Sequence, residues 1–188
     1  KGKKIEDYKN IIKSFNLDLL LVLGWYHMLP KAIRELGKYG AWGIHASLLP
    51  NYAGGAPLNW AIIKGEKETG VTLFRMENGV DDGDIISQKI FTIDYEDTIN
   101  EVYIKATNAS KEILLESISN IENVKFFPQD KKKLKVYPQR TPEDGELDLN
   151  QNSLELYNFI RAQCSPYPGA YIKTKDGKKL IIEKAKIE

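Results

Sequence analysis

A short apolar run near the amino end constrains the fold of this chain more than any other feature. Residues 17–23 are apolar at every position except Asp18, and Asn16 and Gly24 flank the run. A nearly continuous apolar run of this length is typical of a β-strand that is covered on both faces, as in a parallel sheet. The sequence therefore predicts an inner strand here, with further layers of structure on both sides of it.

Helical and strand-like patterns alternate along most of the remaining chain. Pro57 can begin a helix at its first turn and Gly65 can end it, while Thr98 and Glu101 form a capping-box pattern before a long helical periodicity. Helices are predicted at residues 5–14, 30–37, 57–65 and 98–118, and further strands at residues 41–45, 71–76 and 85–93. This alternation predicts the α/β class with a mostly parallel sheet at the centre.

The character of the chain changes after the long helix. Residues 123–150 contain a lysine run, three prolines and several acidic side chains, which indicates a linking segment. Beyond it, Asn152 and Glu155 can cap a helix, and Asp176 with Gly177 can form the turn of a β-hairpin. We therefore expect a core of residues 1–149, including the linking segment, and a small C-terminal element of residues 150–188.

The amino end is unusual for such a core. The chain opens on a helical pattern and on Lys1 rather than methionine, whereas an α/β domain of this type normally leads with a strand. We therefore expect that the core lacks its first strands, which would precede Lys1 in a longer protein.

Composition excludes several classes of protein. The chain has 27 Lys and Arg against 26 Asp and Glu, and its formal net charge of +1 argues against a nucleic-acid partner bound through a general basic field. The single cysteine, Cys164, excludes an intrachain disulfide and a multi-cysteine zinc site. Because no run of about 18 apolar residues and no apolar leader occur, we expect no membrane span, no secretion and a cytoplasmic location.

Both histidines stand where ligands bind in α/β proteins. His27 and His45 each follow the carboxyl end of a predicted strand, and this edge of an open sheet receives ligands. Residues 46–56, which come after His45, are rich in small residues and prolines, so their backbone can approach a ligand closely. Taken alone, each histidine suits a structural role, but one crevice can receive both.

A second polar loop, residues 79–84, connects two predicted strands. Its carboxylates Asp81, Asp82 and Asp84 suggest a metal site at first, but aspartate and glycine also suit a tight turn. Because no second cluster of ligands stands at suitable spacing, we expect no metal. An aspartate of this loop near His45 would instead orient the imidazole ring.

Several motifs, taken in order, resemble the folate-dependent formyltransferases, a group that includes methionyl-tRNA formyltransferase, glycinamide ribonucleotide transformylase and the sugar N-formyltransferases. The matching motifs are His45-Ala46-Ser47-Leu48-Leu49-Pro50, Gly54, Ala56-Pro57-Leu58-Asn59-Trp60, Gly70-Val71-Thr72-Leu73, Met76 and Asp81-x-Gly83-x-Ile85. Residues 140–145 and 166–170 look most like the nucleotide-sugar members, such as the formyltransferase domain of the polymyxin-resistance enzyme. The resemblance implies a Rossmann-like core.

The resemblance also implies transfer of a formyl group from the co-substrate 10-formyltetrahydrofolate to a primary amine, with no metal. His45 would stabilise the oxyanion or take part in proton transfer, and Asp81 would orient His45 and balance its charge. The folate would contact the loop of Trp25, Tyr26, His27, Met28 and Leu29 on one side and the turn of Gly79, Val80, Asp82 and Gly83 on the other. The implied acceptor side comprises Ser47, Tyr52, Gly54 and Pro57, with Ser47 more a scaffold than a participant in the chemistry.

One position departs from the family pattern. The family usually has an asparagine two residues before the histidine, and this chain has Gly43 there. Loss of one preorganised oxyanion donor typically costs about 10²–10³ in rate. The chain therefore replaces the amide with another group, catalyses weakly, or binds folate without transferring formyl.

The acceptor that the resemblance favours is an amino sugar carried by a nucleotide. The alternatives are a methionyl-tRNA formyltransferase-like enzyme, a formyltetrahydrofolate hydrolase and a catalytically silent folate-binding module. The partners would then be small molecules, folate and an amino sugar nucleotide, with no membrane. The C-terminal element would support a homodimer or pack as a lid on the core.

Overall fold

The computed structural model describes residues 4–188. Its strands are β1 (Leu20–Val22), β2 (Ala41–His45), β3 (Ala53–Gly54), β4 (Glu68–Arg75), β5 (Ile85–Thr92), β6 (Val136–Tyr137), β7 (Ala170–Lys173) and β8 (Lys179–Ile182). Its α-helices are α1 (Lys9–Ser14), α2 (Lys31–Arg34), α3 (Pro57–Ile63), α4 (Ile99–Ser119) and α5 (Ser153–Arg161), and short 3₁₀ turns lie at Ile5–Tyr8, Ile121–Asn123 and Pro142–Gly145. The strands and helices alternate, so the predicted α/β class is confirmed.

The central sheet has the strand order β1-β2-β4-β5. β1 and β2 are parallel, as expected for the apolar run, whereas β2 pairs with β4 and β4 pairs with β5 in antiparallel fashion. Only residues 76–84 connect β4 to β5, which is too short for the crossover that a parallel pair requires. These two strands therefore form a hairpin, and the sheet combines parallel and antiparallel pairs.

The core lies between this sheet and the helices α3 and α4. Trp42, Leu58, Leu73 and Val102 are among the side chains that are almost fully buried in it. Six consecutive residues of β4 are buried, because helices or loops cover both faces of this strand. Burial of these apolar side chains holds the long hairpin and the end of β2 in a single arrangement.

The linking segment has more contacts with the core than the sequence suggests. β6 pairs with β3 in parallel, Phe127 forms a backbone bridge with Ile85, and the indole of Trp60 donates to the carbonyl of Pro138 at 3.0 Å. The segment therefore runs back across the core rather than away from it. The division at residue 149 stays a prediction.

The C-terminal element is held by buried polar contacts. The predicted cap of α5 is confirmed, since Asn152 and Glu155 exchange side-chain to backbone hydrogen bonds of 3.0 Å. Asn59 donates to the carbonyl of Ala162 at 2.7 Å, and Arg161 donates to the carbonyl of Asp97 at 2.7 Å. β7 and β8 form the predicted hairpin.

None of the helices in residues 4–188 combines the length and the apolar character that a membrane span requires.

The capping box of α4 generates a prediction about stability. Hydrogen bonds from the side chain and backbone of Thr98 lower the pKa of Glu101 from its ordinary 4.5 to about 2. The ionised carboxylate therefore stabilises the fold above the ordinary pKa, and this contribution is lost as the pH falls through about 2. We expect Glu101→Gln to show a smaller loss of unfolding free energy than the wild type when the pH is lowered from about 5 to about 2.

Urea denaturation at each pH measures this difference, with Glu183→Gln on the exposed C-terminal segment as the control. Thr98→Ala, which removes the cap itself, should cost about 0.5–2 kcal/mol at neutral pH. Parallel pH dependences for the wild type and Glu101→Gln would contradict the assigned role of the carboxylate.

Candidate active site

His45 is the last residue of β2 and lies opposite Thr72 of β4. Its side chain is buried, and its Nε2 atom lies 2.8 Å from the carbonyl oxygen of Tyr52. Its Nδ1 atom lies 3.4 Å from Oδ2 of Asp81. The structure thus brings together the two side chains that the sequence analysis selected, although they stand on different segments.

Both ring nitrogens of His45 face acceptor atoms. A carbonyl oxygen can only accept, so Nε2 carries a proton in the contact with Tyr52. An ionised carboxylate also only accepts, and it stands on the Nδ1 side. The two contacts therefore hold the ring from both sides, with the Asp81 carboxylate placed to orient it.

Asp81 is held by the backbone around it. Its φ angle is +52°, in the left-handed region that aspartate tolerates better than most residues. The backbone N–H of Gly54 donates to Oδ2 at 2.8 Å, so the oxygen that faces His45 is also tied to the loop after β2. The carboxylate therefore joins the turn between β4 and β5 to the loop of residues 46–56, which follows His45 and is called the histidine loop below.

The turn itself is packed too closely for a side chain at one position. A Cβ atom on Gly83 would lie 1.7 Å from the carbonyl oxygen of Arg75, so only glycine fits. Asp82 accepts from the backbone N–H of Gly79 at 3.0 Å and from Lys131 Nζ at 3.0 Å. The predicted folate residues Gly79, Val80, Asp82 and Gly83 therefore form a rigid turn, on which the side chain of Val80 is exposed.

Ser47 requires a correction. Its side chain is fully buried, and its hydroxyl donates to the carbonyl of Asn51 at 2.6 Å. Its own carbonyl accepts from the hydroxyl of Thr72 at 2.6 Å. Because these contacts are internal, Ser47 supports the loop and is not accessible to a substrate, contrary to its place among the acceptor contacts.

The other acceptor-side residues lie around Tyr52. Its hydroxyl donates to Glu66, its ring stacks on Tyr137 with centroids 4.9 Å apart, and burial, followed by the bond to Glu66, raises the pKa of its phenol. Gly54 has a φ of +93°, and a Cβ there would lie 2.4 Å from the carbonyl oxygen of Tyr137. Pro57 begins α3. These contacts fix the backbone of the histidine loop against the linking segment.

The predicted folate loop after β1 is mixed in character. Trp25, Tyr26 and Met28 are exposed, and the rings of Trp25 and His27 meet edge to face at 5.8 Å. Leu29, by contrast, is buried and packs with the small cluster around α2. The Leu29 side chain therefore supports the loop from inside. The exposed rings of Trp25 and Tyr26 form the part of the loop that a flat heterocycle could contact.

Arg34 ties this loop to the hairpin turn, and the sequence analysis did not select it. The buried guanidinium donates to the carbonyls of Leu29 at 2.9 Å and Met76 at 3.0 Å, and to the side chain of Asn78 at 2.5 Å. Both predicted walls of the folate site are therefore joined through one side chain. An arginine at the end of a short helix carries no sequence signal for this role.

Gln129 is the second residue that the sequence analysis missed. Its side-chain amide donates to the carbonyls of Asp81 and Gly83 at 2.8 and 2.6 Å. It stands in the linking segment, where no periodicity or motif marks it.

A cleft of about 430 Å³ opens beside Tyr52. It is lined by Leu48, Asn51, Tyr52, Glu66, Glu68, Thr69, Lys133, Lys135 and Tyr137. The cleft thus combines stacked aromatic rings with two ammonium groups and two carboxylates. Within residues 4–188, no group of three or more His, Cys, Asp and Glu side chains is arranged to hold a metal ion.

Two family models match the chain. The model described as formyl transferase covers residues 1–118, and the model described as formyl transferase, C-terminal domain, covers residues 139–188. The chain belongs to the formyltransferase family. The resemblance found in the sequence motifs is thereby confirmed.

Curated relatives of this chain carry more than one name. The chain is 35% identical over 187 residues to the methionyl-tRNA formyltransferase of Caldanaerobacter subterraneus subsp. tengcongensis, a match that covers 98% of this chain and 60% of that protein. It is 39% identical over 183 residues to the bifunctional polymyxin resistance protein ArnA of Wigglesworthia glossinidia brevipalpis, with 96% of this chain and 27% of that protein covered. The chain therefore spans only part of the length of these relatives.

Solved structures share the fold. A 4-N formyltransferase from Francisella tularensis matches with a TM-score of 0.82 at 22% identity, over 100% of this chain and 78% of that one. An N-formyltransferase from Helicobacter canadensis, solved with folinic acid and dTDP-3-aminofucose, matches with a TM-score of 0.66 at 27% identity, over 76% of this chain and 53% of that one. The α/β architecture is thus that of the formyltransferases.

Apolar side chains pack closely against Gly43. Gly43 lies opposite Phe74 in the β2–β4 register. A Cβ atom on Gly43 would lie 3.3 Å from Cε1 of Phe74, a tight contact, and 3.4 Å from Cγ of Met76. The position at which the family usually has an asparagine is therefore crowded by apolar side chains.

Proposed function

We propose that this protein transfers a formyl group from 10-formyltetrahydrofolate to a primary amine, with His45 and Asp81 as its catalytic pair. The observation that carries the proposal is the 3.4 Å contact between Nδ1 of His45 and Oδ2 of Asp81, at the carboxyl end of β2. Membership of the formyltransferase family supports the same reaction.

The residues present suit the donor. The exposed rings of Trp25 and Tyr26 offer apolar faces to a pterin, and the turn of Gly79–Gly83, rigid through its internal contacts, offers backbone groups on the other side. 10-Formyltetrahydrofolate supplies the one-carbon unit whose carbonyl carbon the amine attacks. These residues would bind and orient this co-substrate beside His45.

The catalytic pair supplies charge and proton transfer. A cationic His45 ring stabilises the negative charge that develops on the formyl oxygen, and such preorganised electrostatic stabilisation is usually the largest catalytic contribution. Asp81 keeps the ring oriented and balances its charge. As the bond between the formyl carbon and N10 of the donor breaks, a protonated His45 ring would give its proton to N10 of the departing tetrahydrofolate. The neutral ring would then take the proton that the amine nitrogen releases after forming its new bond to the formyl carbon.

We propose a nucleotide-linked amino sugar as the acceptor. The cleft beside Tyr52 supports this class, because Tyr52 and Tyr137 offer aromatic surfaces and Lys133 and Lys135 offer cations for phosphate. The match to the Helicobacter canadensis enzyme, solved with dTDP-3-aminofucose, supports it as well.

The buried thiol of Cys164 is compatible with the cytoplasmic location that we propose. The homodimer stays a prediction.

A second candidate acceptor is an aminoacyl-tRNA. The match to a methionyl-tRNA formyltransferase over 98% of this chain favours it. Lys131, Lys132, Lys133 and Lys135 are exposed on the linking segment and would offer a local basic surface despite the near-neutral net charge. Both acceptor classes therefore belong in the same assay.

The function is tested by following tetrahydrofolate release from 10-formyltetrahydrofolate. The full-length protein is given a panel of nucleotide-linked amino sugars, methionyl-tRNA, or no acceptor. We expect release only with an amine acceptor, and a loss of at least about 10² in rate for His45→Ala, because general acid–base catalysis contributes about 10²–10⁴.

Unfolding curves establish that His45→Ala is folded, and Lys178→Ala on the exposed hairpin turn is the control for turnover. Near-normal rates in His45→Ala would rule out the role of this ring. Release without any acceptor would indicate a hydrolase, and binding without release would indicate a silent folate-binding module.

Gly43 provides a second test of the same chemistry. Asparagine at this position requires the ring of Phe74 to move by a few tenths of an ångström, and overpacking of this kind costs about 1–3 kcal/mol. Gly43→Asn alone should therefore destabilise the protein without raising the rate. Gly43→Asn with Phe74→Leu should raise the rate by up to about 10² over Phe74→Leu alone, because an oxyanion donor typically contributes about 10²–10³.

The comparison uses steady-state rates and urea denaturation of the three variants. A full gain in rate from the single substitution would contradict the conclusion that Phe74 blocks the amide.

The cleft generates a prediction about acceptor binding. Loss of a charge-assisted hydrogen bond to phosphate weakens binding by about tenfold. We expect Lys133→Ala and Lys135→Ala each to raise KM for the nucleotide-linked acceptor by about that factor, with little change in kcat. Lys132→Ala is the matched control, because Lys132 is exposed on the same segment but does not line the cleft. An unchanged KM in both variants would exclude the cleft as the acceptor site.

A further inference from the structure

We infer that Gln129, in the linking segment, is a positioning residue for the His45–Asp81 pair. The assignment of a catalytic purpose rests on the proposed function, but the contacts that support it do not. Gln129 touches neither the imidazole nor the carboxylate, and it acts on them through the backbone of the turn.

The contacts of Gln129 converge on two carbonyl groups. Its Nε2 atom donates to the carbonyl oxygen of Asp81 at 2.8 Å and to that of Gly83 at 2.6 Å. An amide nitrogen has two N–H groups, and both are used here. One side chain therefore bridges the backbone of Asp81 and Gly83, two residues apart in the turn.

This bridge holds the backbone that aims the Asp81 side chain. Asp81 has a φ of +52°, a conformation that costs free energy for a residue other than glycine and persists only where surrounding contacts hold it. The two hydrogen bonds from Gln129 are such contacts. If the backbone at Asp81 relaxed, its carboxylate would move away from His45 and from the N–H of Gly54.

Gln129 lies between two other anchors on the same hairpin. Phe127 and Ile85 exchange two backbone hydrogen bonds of 2.8 Å, and Lys131 forms an ion pair of 3.0 Å with Asp82. Residues 127–131 are therefore fastened to the turn at three points. Gln129 is the only one of the three whose bonds reach the backbone of Asp81 itself.

A glutamine is needed at position 129 because only the N–H donors of its amide group form hydrogen bonds. The Oε1 atom of Gln129 is buried and has no hydrogen-bond partner among residues 4–188. An unpaired buried acceptor lowers stability, so the net contribution of Gln129 depends on its two donor contacts. A glutamate of the same size would present only acceptor atoms to the two carbonyls.

The test measures the NMR chemical shifts of the imidazole ring nitrogens, which are easily resolved because the chain contains only two histidines. The full-length protein is labelled with ¹⁵N-histidine, and the signals are assigned with His27→Gln. We expect Gln129→Glu to move the ring nitrogen shifts of His45 toward those seen in Asp81→Asn, while the signals of His27 stay in place. A merely structural role for Gln129 would leave the His45 ring unchanged in the folded protein.

Turnover provides the second measurement. We expect kcat to fall by about 10–10² in Gln129→Glu, since a small misplacement of a catalytic group can cost about 10². The fall in kcat should exceed the change in KM for the folate donor, because Gln129 contacts the backbone of Asp81 directly and the proposed folate side only through the carbonyl of Gly83. Gln151→Glu, the same substitution at an exposed position, is the control and should change neither quantity.

Gln129→Met keeps the proposal testable if Gln129→Glu does not fold, because methionine has a similar length, no donor and no charge. We expect it to shift the His45 signals in the same direction. Unchanged His45 shifts in either folded variant would overturn the inference. The resonance measurement needs no turnover, so an absence of formyl transfer in the wild type would count against the proposed function alone.

Discussion

The arrangement of this site depends on the contacts that the carboxylate of Asp81 makes with His45 and with the backbone of Gly54. Its Oδ2 atom faces His45 at the end of β2 and accepts the N–H of Gly54 in the following loop, while its backbone carbonyl accepts from Gln129. Three segments that are distant in the sequence therefore meet at one residue. Because an imidazole can act on a substrate only when its orientation and proton count are fixed, these contacts decide what His45 can do.

Long-range polar contacts join the walls of the site to one another, in addition to apolar packing such as that of Leu29. Arg34 joins the loop after β1 to the start of the hairpin turn, and Gln129 joins the turn to the linking segment. Apolar packing places the strands, but its strength depends on area and not on direction. Hydrogen bonds have preferred distances and angles, so they can set the position of a loop to within a few tenths of an ångström.

Much of the fold was predictable because helices and strands leave local patterns. The strand at Ala41–His45, the cap at Thr98 and the cap at Asn152 were each predicted at the residues where they occur. Family motifs led to His45 and Asp81 as well. The antiparallel pairing of β2 with β4 was missed, since strand direction depends on how the chain returns to the sheet and leaves no trace in periodicity.

The sequence by itself determined the α/β class, the caps of the two longest helices and the family, and it selected the two residues proposed as the catalytic pair. Tertiary structure alone decided that Ser47 is buried, that Phe74 fills the space beside Gly43, and that Gln129 reaches the turn of Asp81. The physical reason is the range of the interactions. Propensity and capping act over a few neighbouring residues, whereas these contacts exist only after the sheet and the returning linking segment bring distant parts of the chain together.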